Sequence, residues 1–182
     1  MTADASAAVG QPRRLLDDHF LRVLPAPLRE PRRAWLAIPI AWLLSFVGSL
    51  ALAALATKFF PEAPQVQIPP APPWLLFFGF AIFSPVVESI LMGLGLKFMM
   101  IWMRPGWAIL ASAILWGILH SLQFPLWGLA IWWPFLIFST LFVVWQQRGF
   151  WTGVWVAAAT HFLQNLLPAL TIAYPGLFHS LT

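Results

Sequence analysis

The stretch WLAIPIAWLLSFVGSLALAALAT, residues 35–57, contains no ionisable side chain. As a helix rising about 1.5 Å per residue, a run of this length crosses a hydrocarbon core about 30 Å thick. Lipid offers no hydrogen bonds, so a crossing segment must satisfy its own backbone, as a helix or as a strand in a closed barrel. The run shows no strand-like alternation, which selects the helix. Four more apolar runs follow, at roughly 73–103, 107–122, 126–147 and 150–167. The fold class expected is all-α, a polytopic membrane helix bundle of about five transmembrane helices. The number rises if the carboxyl-terminal segment or the 73–103 stretch is split.

The 73–103 stretch exceeds the bilayer core, so it is expected to tilt, kink near Pro85 or project beyond the membrane. The fourth span carries Pro134 inside it, and Pro168 is expected to stop the fifth. The Pro-rich segment KFFPEAPQVQIPPAPP reads as a loop. The chain thus divides into an amino-terminal tail, 1–33, a membrane-embedded domain, 34–172, and a short tail, 173–182. Residues 1–12 are expected to be disordered, with no cleaved signal peptide. In residues 13–24, Leu16, Phe20 and Leu24 share one stripe, which predicts a short helix lying on the membrane surface until Pro25, Pro27 and Pro31 break it. No internal repeat is visible.

Only 9% of residues are charged and 60% are hydrophobic, which excludes an ordinary soluble domain. The chain has no Cys, which removes disulfides, thiolate nucleophiles and Cys–metal sites. Six basic residues, Arg13, Arg14, Arg22, Arg29, Arg32 and Arg33, precede the first span. A basic tail beside a membrane span reads as cytoplasmic and drawn to anionic lipid; no nucleic acid partner is expected. Five spans put Arg104 and Arg148 on the same side as that tail and Lys58 opposite, in agreement with the positive-inside rule. Trp35, Trp74, Trp102, Trp107, Trp127, Trp145 and Trp151 fall near span ends, as an aromatic belt requires.

Few groups inside the spans can ionise. Besides Lys97, near the end of the second span, they are Glu88, His120 and His161, the last with Asn165 one helical turn beyond it. Counted at about 1.5 Å per residue from the basic ends, Glu88 lies about 22 Å deep, His120 about 20 Å, His161 about 17 Å and Asn165 about 23 Å. Three helices therefore deliver polar groups to one layer. An unpaired carboxylate there costs on the order of 3 kcal/mol or more, so Glu88 is expected to be protonated, paired or beside water. A Glu near imidazoles is a general base for water, and an imidazole and an amide can stabilise an oxyanion. Such a set is equipped to hydrolyse a peptide bond inside a membrane.

These residues resemble the CAAX protease and bacteriocin-processing family of intramembrane endopeptidases, over roughly residues 75–168. That family shows E-E-x-x-x-R, F-x-x-x-H and H-x-x-x-N or D on separate helices. Glu88 in PVVESILMG matches the first Glu, Trp116 to His120 the second motif with Trp for Phe, and His161 with Asn165 the third. Ser89 stands where the second Glu would be and Gly93 where the Arg would be. The resemblance implies that Glu88 activates water, that His120 helps hold it, and that His161 and Asn165 form the oxyanion site, with no cofactor. It also implies a bacterial inner-membrane enzyme acting on hydrophobic or lipidated carboxyl-terminal tails or bacteriocin-type peptides. The alternative is an inactive relative that binds peptides as an immunity or scaffold protein. A small transporter is a third reading, against which the absence of repeated halves weighs.

Two His and one Glu also match catalytic zinc ligands, although no H-E-x-x-H is present; zinc is the alternative cofactor. Ser89 and Gly93 have the small-x-x-x-small spacing of helix packing. Lys97 is expected to snorkel, His19 and His179 to be solvated, and Trp116 to pack. Reporter fusions at position 66 should read external and at position 105 internal; the reverse pattern would undo the depth comparison.

Overall fold

The structure, a computed structural model, describes residues 15–17, 19–62 and 68–177. Among them there is no strand. Five helices are long and apolar enough to cross a membrane: α1 (Ala34–Phe59), α2 (Pro73–Met99), α3 (Pro105–Gln123), α4 (Trp127–Trp145) and α5 (Phe150–Ala173). The chain is a multi-pass membrane protein built as a helical bundle.

The centre is α4. It is apolar all round, as a helix enclosed by others must be, and every residue from Pro134 to Trp145 is buried. The other four helices all pack against it. Backbones come close where side chains are smallest: a Cβ on Gly128 of α4 would overlap the Gly117 carbonyl oxygen of α3. A Cβ on Gly93 of α2 would lie 2.6 Å from the Phe142 ring, so the small residues of α2 make room for α4 as their spacing predicts. Polar ties complete the bundle. Ser139 Oγ donates to Ser112 Oγ at 3.0 Å, and Trp133 Nε1 donates to the Leu44 carbonyl at 2.9 Å.

The long second stretch ends at Met99 and changes helical register just before Pro85. A π-helical segment, Phe78–Phe83, sits between Pro73–Phe77 and Ser84–Met99. Pro168 does not stop α5, which runs through it to Ala173, past the end at residue 167 read from sequence. A proline removes one intrahelical bond, and packing against neighbouring helices keeps the segment helical. Trp145 is buried rather than in an aromatic belt, with the Arg148 guanidinium 5.6 Å over its ring, whereas Trp35, Trp74, Trp102, Trp107 and Trp151 are exposed. Lys97 is exposed.

Before α1 the chain differs from a surface helix. Phe20–Val23 is a 3-10 turn, and Pro25 and Pro27 begin a one-turn helix, Ala26–Arg29, instead of ending one. Leu16, Leu21, Leu24 and Leu28 point into the core while Phe20 is exposed, so the segment plugs one end of the bundle. Arg29 pairs with Asp17 at 2.9 Å and its Nε donates to the Leu24 carbonyl. His19 is only partly solvated: it packs edge-on to Trp107 over Gly106, and desolvation holds its imidazole below the usual value. His179 and residues 1–12 lie outside the described residues.

Gly128→Ala should destabilise the bundle by about 1–3 kcal/mol, the usual cost of overpacking. Thermal unfolding in detergent checks this; an unchanged midpoint would contradict the α3–α4 packing.

Candidate active site

Glu88 on α2, His120 on α3, and His161 and Asn165 on α5 line one cavity of about 580 Å³. The three helices deliver the four side chains to one place, as the depth count from sequence expects. The cavity walls also include Phe80, Ser84, Gln123, Phe135, Phe138 and Gln164. Ile68 and Pro69, which precede α2, and Phe124, which follows α3, also line it.

Ser84 stands one turn before Glu88, and its hydroxyl donates to Glu88 Oε1. The other carboxylate oxygen, Oε2, lies 4.0 Å from His161 Nε2, with the Glu88 side chain 20% exposed. That gap exceeds a hydrogen bond and is short enough for one water to touch both groups.

His161 is held by aromatic rings. Phe138 stacks on it at 4.6 Å and Phe135 meets it edge-on at 5.4 Å. Its Nδ1 is buried without a hydrogen-bond partner, so Nε2 is the polar edge turned toward Glu88. A proton on Nε2 directs a donor at the carboxylate, and the bare Nδ1 then faces the apolar wall.

His120 is set differently. Its Nδ1 lies 2.8 Å from the Trp116 carbonyl oxygen, one turn earlier on α3. A carbonyl only accepts, so Nδ1 carries the proton and Nε2 of the neutral ring is an acceptor. Trp116 stacks on Phe135 at 4.5 Å, and Phe135 lies 5.5 Å from the His120 ring and 5.4 Å from the His161 ring, so one phenyl ring packs against both imidazoles. Trp116 thus packs, as read from sequence, and its carbonyl orients His120.

Asn165 Nδ2 donates to the Phe80 carbonyl of α2 at 3.0 Å. Gln164 beside it accepts from Ser45 Oγ of α1 at 2.8 Å. Ser89 is buried against the bundle with its hydroxyl unpartnered, and Gly93 lies under Phe142, so neither enters the cavity lining. Ser84 and Gln164 were missed in the sequence. The first was readable as a hydroxyl one turn from an intramembrane acid, and the second lies inside the H-x-x-x-N spacing. Among the described residues, no group of three or more His, Asp or Glu is placed to hold a metal ion.

No protein-family model, curated protein or solved structure matches the chain significantly.

Nitrogen-15 spectra of His120 should show a protonated Nδ1 and a bare Nε2. The opposite tautomer would contradict the Trp116 contact.

Proposed function

We propose that the protein is an intramembrane endopeptidase that hydrolyses a peptide bond with a Glu88-activated water. The observation that carries this reading is the Glu88 carboxylate facing His161 Nε2 at 4.0 Å inside a cavity that His120 and Asn165 also line. Glu88 takes a proton from the water, whose oxygen attacks the substrate carbonyl. His120 Nε2 accepts the water's other hydrogen and so orients it. His161 Nε2–H, with the free N–H of Asn165, donates to the oxyanion that forms, and Glu88 returns its proton to the leaving amine. Ser84 holds the carboxylate in place. The apolar walls suit hydrophobic stretches of a membrane-associated or lipidated substrate. Arg22, Arg29, Arg32, Arg33, Arg104 and Arg148 favour an orientation with the amino terminus in the cytoplasm, and the family resemblance suggests a bacterial inner membrane.

A second reading is a peptide-binding immunity or scaffold protein without catalysis. It is favoured by Ser89 and Gly93, which leave the first motif incomplete, and by the commitment of one Asn165 N–H to Phe80.

Glu88→Gln keeps shape but cannot act as a base. Cells carrying it should accumulate an uncleaved membrane peptide at unchanged protein level, as read by mass spectrometry of membrane peptides. His161→Ala should slow turnover by on the order of 3 kcal/mol, about a hundredfold, while Asn165→Ala leaves residual turnover. If Glu88→Gln cells show the wild-type peptide profile, the binding reading is preferred.

A further inference from the structure

The wall of the cavity contains the point where α2 changes register. The Ser84 N–H donates to the Gly79 carbonyl, five residues back, within the π-helical segment Phe78–Phe83. In the same register the next N–H, that of residue 85, would reach the Phe80 carbonyl. Residue 85 is Pro and has no N–H. The Phe80 carbonyl thereby loses its helical donor at a depth where lipid supplies none. Asn165 of α5 donates to this carbonyl at 3.0 Å. Phe80, Ser84 and Glu88 follow one another at four-residue intervals, and all three line the cavity.

We infer that Asn165 is a positioning residue: its side-chain N–H replaces the backbone N–H that Pro85 lacks, and this bond fixes the register in which Glu88 faces His161. Each component depends on the others. Pro85 interrupts the ladder, the π turn exposes one carbonyl, and Asn165, one turn beyond His161, ties that carbonyl to the helix bearing the imidazole. One amide N–H is thereby engaged and the other remains for a substrate oxygen. The inference rests on the proteolytic reading only for the use made of this geometry, and the contact itself is tested without substrate.

The sequence contains one Phe–Ala pair, Phe80–Ala81, and one Val–Glu pair, Val87–Glu88. Full-length protein in lipid bilayers, carrying carbonyl-13C Phe with 15N Ala, therefore gives a single correlated signal for the Phe80 carbonyl. Carbonyl-13C Val with 15N Glu does the same for Glu88. Asn165→Ala should move the Phe80 carbonyl upfield and displace the Glu88 signal. In a Pro85→Ala background, residue 85 supplies its own N–H, and the same Asn165→Ala change should displace both signals at least about threefold less. Equal displacement in the two backgrounds, or none in the natural one, would overturn the inference. If Asn165→Ala does not fold with Pro85 present, folding in the Pro85→Ala background is the expected rescue, and failure in both backgrounds overturns it. Loss of the proteolytic reading alone would leave these spectra unchanged.

Discussion

A carboxylate inside a bilayer core must have partners, and much of this protein's interior follows from giving Glu88 some. An unpaired charge at that depth costs several kcal/mol, comparable to a large part of the net stability of an ordinary domain. Ser84 supplies a hydroxyl from the same helix, and His161 presents a nitrogen from another. The polar layer borders a cavity, and within it Glu88 and His161 stand slightly too far apart for a direct bond. On the proposed reading, that gap is where the attacking water sits.

The rest of the bundle supports this spacing. Its central helix presents Phe135 and Phe138 to the imidazoles, so rings rather than hydrogen bonds set the orientation of His161. The small residues Gly93, Gly117 and Gly128 let the surrounding backbones approach the central helix closely. Near the cavity, Ser45 joins α1 to Gln164, and Asn165 joins α5 to α2. Helices with no hydrophobic drive to associate in lipid are held by such packing and by these few polar bonds.

The five spans were legible because apolar run length is dictated by bilayer thickness, and the ionisable residues stood out because so few interrupt those runs. Glu88, His120, His161 and Asn165 could be named from sequence for that reason, and the structure brings them to one cavity. What was not legible depends on backbone register and on neighbours distant in the chain. The π turn before Pro85 exposes a carbonyl that no side-chain pattern announces. Pro168 looked like a stop, yet α5 continues through it within the bundle. Trp145 looked like a belt residue because it sits at a span end, but it is buried and its ring lies under Arg148. His19 looked solvated because sequence does not reveal that Gly106 leaves room for its ring.

The central claim is that Glu88 activates a water for attack on a peptide carbonyl. It is tested most directly with purified protein in lipid nanodiscs, a library of hydrophobic membrane-inserting peptides, and water enriched in oxygen-18. The expected result is new carboxyl termini carrying oxygen-18 with the natural protein and none with Glu88→Gln. Equal cleavage and label incorporation by the two proteins would contradict it.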